Sequence, residues 1–421
     1  MRAGSLRSDG KRVQIRPAEV RGRFDRARRL GFAVLIAIYL ALPWIAIGGH
    51  PAVLLDIGAR RFYLFGATFN AQDLWMMVVL LLGLGLGLIL VTALLGRIWC
   101  GWACPQTVFL EAVYRRIERW LIGSRRAAGW RHAVAHAGYV AVSLALSYVL
   151  LRYFTPEPPT VLVAAGGAAL YGNFAWFREQ LCVVVCPYGR LQSLLLDADS
   201  LIVGYDAKRG EPRGKLATVG AGDCVDCRRC VAVCPTGIDI RDGLQLDCVG
   251  CTACIDACDE IMDKVERPRG LIRYDSQNGL AGKRRRILRP RVLAYAGLLA
   301  VGAAVGAVAL SSRRGFEANL IRPVGAPFVV ENQMVENRFQ VHLVNKRPAA
   351  ARFVVTAPPG GDLIEQLPGP IELASLEGLS LPVIVRVPRD RWRPGMQAVF
   401  EVNVDGERPR ELRAPLLGPV Q

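Results

Sequence analysis

The 421-residue chain is 52% hydrophobic yet carries a formal charge of +17, with 53 Lys and Arg against 36 Asp and Glu. It is long enough for two or three domains. Its apolar residues gather in blocks, which excludes one large soluble core and points to membrane spans. The arginines flank those blocks, so the positive-inside rule explains the charge and nucleic-acid binding is set aside.

Residues 1–29 form a basic arm; the first thirty positions hold ten Lys/Arg and three acidic residues. The arm is too long for the basic region of a secretory signal, and no small-residue cleavage site follows the next apolar run. A four-helix membrane region is expected over 30–200. Its spans are 30–49, kinked at Pro43, then 74–95, 133–151, and 161 to about 185, interrupted by Arg178, Glu179 and Gln180. Each is near the twenty residues a bilayer requires. Gly83, Gly85 and Gly87 sit inside a long apolar run with no strand before them, so they read as close helix packing and not as a nucleotide loop. A fifth span is expected over 292–310, after Lys283, Arg284, Arg285, Arg286, Arg289 and Arg291. The arm, the 96–132 segment with seven arginines, and the 186–291 segment are basic; the 50–73 and 152–160 loops are not. The basic set is therefore expected in the cytoplasm, with the C-terminal domain on the outer side.

Two stretches share one device. Arg97-Ile-Trp-Cys100-Gly-Trp-Ala-Cys104-Pro105 follows the second span, and Arg178-Glu-Gln-Leu-Cys182-Val-Val-Val-Cys186-Pro187 ends the fourth. At i and i+4, each cysteine pair is expected on one side of its helix, with the proline breaking it. Cysteines buried in membrane helices are often inert. A repeat of C-x3-C-P at matched topological positions favours a soft-metal or redox site, and thiolates suit cuprous copper or iron. Arg97 and Arg178 are near enough in sequence to favour the thiolates. His132 and His136, spaced i and i+4, read as metal ligands or as interfacial residues. His50 and His342 stand alone.

A two-cluster ferredoxin-like α+β domain is expected over 201–291. Cys224, Cys227, Cys230 and Cys234 repeat the spacing C-x2-C-x2-C-x3-C, and after thirteen residues so do Cys248, Cys251, Cys254 and Cys258. Zinc ribbons pair two distant C-x2-C units and do not place three cysteines in close series. Disulfides do not suit a cytoplasmic setting. The spacing is that of a bacterial ferredoxin with two [4Fe–4S] clusters. By the exchange usual there, Cys224, Cys227, Cys230 and Cys258 hold one cluster, and Cys248, Cys251, Cys254 and Cys234 the other. Pro235 follows the first quartet but Asp259 the second. Asp223, Asp226, Asp256 and Asp259 read as solvating or tuning groups.

Residues 311–421 lack cysteine and carry short alternating runs at 337–345, 352–356, 381–387 and 398–404, separated by Pro/Gly turns. They predict an all-β immunoglobulin-like sandwich serving as a docking or stabilising module.

The motifs together resemble the cytochrome c oxidase accessory protein family, the FixG/RdxA/CcoG group. The resemblance is carried by Arg60-Arg-Phe-Tyr63, by 96–107 and by 178–188 with their C-x3-C-P cysteines. Tyr205-Asp-Ala-Lys-Arg-Gly-Glu-Pro-Arg-Gly214 and the stretch 230–274 also carry it. It implies a membrane-bound polyferredoxin of the bacterial inner membrane, used in assembling a C-type haem–copper oxidase. It also implies an oxidoreductase role, reducing cupric to cuprous copper for copper chaperones, oxidase assembly factors or oxidase subunits. Under the resemblance, the eight ferredoxin cysteines are cluster ligands, and Cys100, Cys104, Cys182 and Cys186 handle copper or electrons. A general electron relay that binds no copper, and an assembly scaffold, are the alternatives.

Overall fold

The structure is a computed structural model that describes residues 15–69, 73–123, 129–216, 218–347, 349–357 and 364–419. Of the expected basic arm, residues 1–14 lie outside the described residues. The chain divides into two compact units, 1–59 with 77–306, and 60–76 with 307–421. The ferredoxin-like segment and most of the membrane region thus share one unit.

The first unit opens with α1 (Arg23–Ala41), followed by α2 (Leu74–Leu95), α3 (Ile98–Trp102) and α4 (Pro105–Phe109). A π-helical turn, Leu110–Tyr114, joins α4 to α5 (Arg115–Leu121). Then come α6 (Gly129–Arg152), α7 (Thr160–Tyr171) with a π-helical end at Gly172–Phe177, and α8 (Pro187–Leu195). In the ferredoxin-like segment, β1 (Ile202–Tyr205) pairs antiparallel with β2 (Ile272–Asp275), flanking α9 (Arg229–Ala232) and α10 (Ala253–Lys264). Helix α11 (Pro290–Ser311) follows.

Among the described residues, four helices are long and apolar enough to cross a membrane: Trp75–Leu95, Gly129–Arg152, Thr160–Phe177 and Pro290–Ser311. The expected span at 30–49 is not among them. Pro43 does not kink that helix; α1 stops at Ala41, and the chain turns into a short hairpin at Ala46–Pro51. At its other end α1 begins at Arg23, so its first two turns are charged. Even so, the C-terminal end of α1 reaches α6. The Tyr39 hydroxyl donates to the Leu146 carbonyl (2.9 Å), Tyr153 donates to the Tyr39 carbonyl (2.7 Å), and the Arg152 guanidinium covers the Trp44 ring. The expected span to 185 also ends early, at Phe177. There Arg178 takes a left-handed φ of 54°, a conformation strained for a non-glycine residue.

Between these helices lies a buried ion network. Arg178 donates to Glu118 (2.8 Å), Glu118 also accepts from Arg16 (2.8 Å), and Arg115 binds Glu111 and Glu179 (3.2 Å). Arg115 donates further to the Pro235 carbonyl (3.2 Å), tying the helices to the ferredoxin-like segment. Phe109, Tyr114, Tyr139 and Phe174 pack around the network.

The second unit is the expected sandwich. Its strands are β3 (Phe316–Ile321), β4 (Val329–Glu331), β5 (Met334–Asn345), β6 (Ala351–Thr356), β7 (Ile364–Gln366), β8 (Ile371–Leu373), β9 (Gly378–Pro388), β10 (Gln397–Val404) and β11 (Arg410–Pro415). One sheet has the order β7-β9-β5-β3 with β4 on β5; the other is β8-β6-β10-β11. Alternation explains the layers: along β10 every second residue is buried. Phe316 meets Phe353 edge to face, and Phe339 meets Phe400, so aromatic pairs fill the core. The hairpin Arg61–Phe69 belongs to this unit, its Arg61 donating to the Leu376 carbonyl (3.0 Å).

One buried polar group fastens the sandwich. The Asn345 amide, fully buried, donates to the carbonyls of Ala349 (2.8 Å), Leu373 (3.0 Å) and Ala374 (3.0 Å). Removing it leaves buried acceptors unpaired, so Asn345→Ala should cost about 1–3 kcal/mol. The check is amide exchange across β5 and β8 by mass spectrometry, which should accelerate; wild-type rates would mean the bonds contribute nothing.

Candidate functional site

The ferredoxin-like segment folds its eight cysteines around two cavities. Cys224, Cys227, Cys230 and Cys258 line the first, with Ile261, Met262 and Leu271 as apolar wall. Cys234, Cys248, Cys251 and Cys254 line the second, with Cys230 at its edge. Each quartet therefore gives its last cysteine to the other cavity. The local backbone shows why. Each loop turns through left-handed residues on both sides of its second cysteine, Asp226 and Arg228 in one, Gly250 and Thr252 in the other. A short helix then follows, α9 or α10, which carries the fourth thiol away from the first three.

The spread of these thiols bears on what they can hold. Among the described residues, no three His, Cys, Asp or Glu side chains converge as ligands of a single ion do. A tetrahedral zinc site needs that convergence. Ligands of a cubane are spread wider, because each binds a different iron. Burial pushes the Cys230 thiol up to about 11 and the Cys248 and Cys258 thiols up to about 12. Those three thiols are thus protonated at neutral pH, and a metal that binds them displaces their protons.

The four acidic residues expected to solvate or tune the clusters instead hold structure. Asp256 is buried and accepts from the backbone N–H groups of Phe24 (3.2 Å) and Asp25 (2.7 Å), capping α1 from another helix. Asp259 accepts from the Gly270 N–H (3.0 Å). Asp223 pairs with Arg209 and Arg267, and Asp226 with Arg241 (2.6 Å). The cap on α1 carried no local signal, because its partner lies more than two hundred residues away.

The C-x3-C-P cysteines depart from the expected i, i+4 helical pairs. Cys100 lies on α3, but Cys104 is the extended residue that begins α4, with Pro105 at the first helical position. Cys182 lies on a separate π-helical turn, Leu181–Val185, and Cys186 begins α8 in the same way before Pro187. The prolines therefore start helices, where a missing N–H costs nothing. The two motifs do meet. Burial, then repulsion from neighbouring thiolates of the same four, pushes Cys182 up to about 12 and Cys100 up to about 11. The Cys100 thiol also donates to Gln192 (3.4 Å).

Arg97 and Arg178 do not chiefly serve the thiolates. Arg178 is held by Glu118, as described. Arg97 lowers Cys100 less than burial raises it. Its guanidinium donates to the carbonyls of Leu246, Cys248 (3.1 Å) and Gly189 (3.0 Å). One side chain thus ties the first motif, the helix after the second motif, and the second quartet. Beside it Gly101, between Cys100 and Cys104, lies so close to Gly250 that an added Cβ would stand 2.7 Å from its backbone. The sequence singled out neither this contact nor Gly101. His136 bonds the Tyr171 hydroxyl (2.9 Å) and stacks edge-on against Tyr139; neither it nor His132 joins a metal-ligating group among the described residues.

Comparisons with known proteins agree with this division. A 4Fe-4S dicluster domain matches residues 177–277 and a 4Fe-4S binding domain residues 76–126, so each takes in one C-x3-C-P motif. The Ig-like fold at the C-terminus of FixG, putative oxidoreductase, matches 306–415. Nitrogen fixation protein FixG of Rhizobium meliloti is 37% identical, covering 82% of this chain and 79% of that protein. Protein RdxA of Cereibacter sphaeroides is 34% identical, covering 81% of each chain, and protein RdxB of the same organism 35%, covering 85% of each. The crystal structure of a FixG-related protein from Vibrio parahaemolyticus is 16% identical, covering 26% of this chain and 100% of its own, with a TM-score of 0.23. With three relatives above 30% identity along most of its length, the chain belongs to the FixG/RdxA family of membrane iron–sulfur proteins.

Proposed function

We propose that this chain reduces cupric to cuprous copper during assembly of a C-type haem–copper cytochrome oxidase. Cys224, Cys227, Cys230 and Cys258 hold one [4Fe–4S] cluster in this reading, and Cys248, Cys251, Cys254 and Cys234 the other. When bound, the clusters supply one-electron transfer. The observation that carries the proposal is the backbone contact between Gly101 and Gly250, which joins the Cys100 segment directly to the loop bearing Cys248 and Cys251. Cys100, Cys104, Cys182 and Cys186 receive the cupric ion there. Each ion takes up one electron, and thiolates favour the cuprous product. Two of the four thiols are enough to hold a cuprous ion, which accords with the absence of a three-ligand cluster among the described residues. The ion then passes to a copper chaperone, an oxidase assembly factor or an oxidase subunit.

The setting is the bacterial inner membrane. The contacts of the C-terminal end of α1 with α6 and the residues after it support a fifth crossing that begins in the charged first turns of α1. Five crossings put the N-terminus and the cysteine sites in the cytoplasm and the sandwich in the periplasm, in keeping with the basic loops.

The deciding experiment adds cupric ion, without oxygen, to the chemically reduced protein, and follows cuprous ion with a chelator alongside cluster oxidation. Replacing Cys100, Cys104, Cys182 and Cys186 by serine should slow the coupled reaction at least tenfold. Equal rates would sink the copper site and leave a general electron relay or a scaffold. Cys224→Ser and Cys254→Ser should each remove one cluster, so iron content should fall from about eight toward about four per chain; an unchanged content would refute the ligand assignment. Gly101→Val should part the two segments. Cupric reduction is expected to slow at least tenfold in that variant at matched iron content, and wild-type rates would mean the contact is not the electron route.

A further inference from the structure

We propose that the groove beneath α1 binds a membrane quinol, and that this quinol is the electron donor. The inference rests on the electron-transfer reading above and names its source. The groove is a cavity of about 430 Å³, within the range of small-molecule sites. One long wall is an apolar stripe of α1: Phe32, Ala33, Ile36, Ala37 and Leu40. Ala33 and Ala37, at i and i+4, are exposed and present only methyl groups to it.

At the polar end stands Arg28, 9% exposed, whose Nε donates to the Gly101 carbonyl (3.2 Å). Its Nη2 is buried and has no hydrogen-bond partner among the described residues. A buried guanidinium N–H is costly to leave unpaired, and a quinol oxygen at this end would accept from it. Arg29 is paired with Asp25 (2.7 Å) and Arg119 with Glu19 (3.6 Å). Arg116 and Glu111 complete the polar lining, with Glu111 held by Arg115, so the groove keeps an excess of positive charge, and it is the apolar α1 wall that favours a ring with a long apolar tail.

The position suits a redox ligand. Pro235 lines both this groove and the cavity of Cys234, Cys248, Cys251 and Cys254. Val233 and Ala253, each the residue before a cysteine of that cavity, also line the groove. A ring held at Arg28 is therefore one residue's thickness from the second cysteine cavity. On oxidation both quinol O–H bonds break and the ring becomes a quinone. Its two electrons leave one at a time toward the iron–sulfur sites, and its two protons pass to water.

The test uses the full chain in detergent, clusters intact and oxidised, without oxygen. Decylubiquinol is added and cluster reduction is followed by absorbance and electron paramagnetic resonance. Binding is read separately by photolabelling with an azido-ubiquinone and peptide mapping. Reduction should occur, and label should fall within 28–40. Ala33→Leu and Ala37→Leu should each cut labelling and the rate at least tenfold, while dithionite still reduces both clusters. Arg28→Gln should weaken labelling by a similar factor. Label elsewhere, label displaced by phosphatidylglycerol but not by ubiquinone, or undiminished labelling in the leucine variants would overturn the proposal. The two readings separate cleanly. If dithionite-reduced protein reduces cupric ion but quinol neither binds nor reduces the clusters, the quinol site falls and the copper reading stands. If quinol reduces the clusters and cupric ion is left untouched, the reverse holds.

Discussion

The architecture of the first unit hangs on the buried thiols of its ferredoxin-like segment. The ferredoxin-like segment has one two-stranded ribbon, one twelve-residue helix and four short helical turns. Its core cluster counts Cys224 and Cys230 among its buried members, with Cys248, Cys254 and Cys258 packed against them. So small an apolar core cannot outweigh the entropy of ordering the chain. A metal bound by such thiols displaces their protons and adds its binding free energy to folding. Everything that leans on the segment inherits that condition: the Arg97 clamp on Cys248, the Arg115 bond to Pro235, and the cap that Asp256 places on α1.

The buried ion network is the second organising element. Arg115, Glu118, Arg178 and Glu179 are each nearly inaccessible. Burying such charges is costly, and breaking one pair leaves an orphan worth about 3–5 kcal/mol. The network is tolerated because it fixes geometry that apolar packing cannot. It holds Arg178 in a left-handed conformation exactly where the helix must stop, three residues ahead of the Cys182 turn. The charged triplet 178–180, which in the sequence only interrupts a span, is thus the device that ends it.

Much of the fold was legible because its signals are local. The quartet spacing, the 74–95 span and the alternation in β5, β6, β9 and β10 are all read within a dozen residues, and each lies where expected. The short strands β4, β7 and β8 carry too few residues to show a period. The readings that failed depended on distant partners. Pro43 looked like a kink because tolerance of proline in a bundle depends on neighbours that the sequence does not reveal. Cys104 and Cys186 looked like helix-interior residues because C-x3-C matches helical spacing, yet the following proline makes each the first residue outside a new helix. Asp256 read as a group that solvates or tunes a cluster because it stands between Cys254 and Cys258. Its carboxylate caps a different helix.

The cap on α1 also orders events in time. Phe24 and Asp25 are made early, but the carboxylate that satisfies their N–H groups lies 232 and 231 positions later in the chain. Gly22 admits that carboxylate so closely that any side chain there would collide with it. Asp256 sits between Cys254 and Cys258 on α10, so the cap comes from a helix that also supplies one thiol to each cavity. During synthesis the start of α1 therefore stays uncapped until α10 has emerged, and the first helix of the chain is finished by one of the later elements of its own unit.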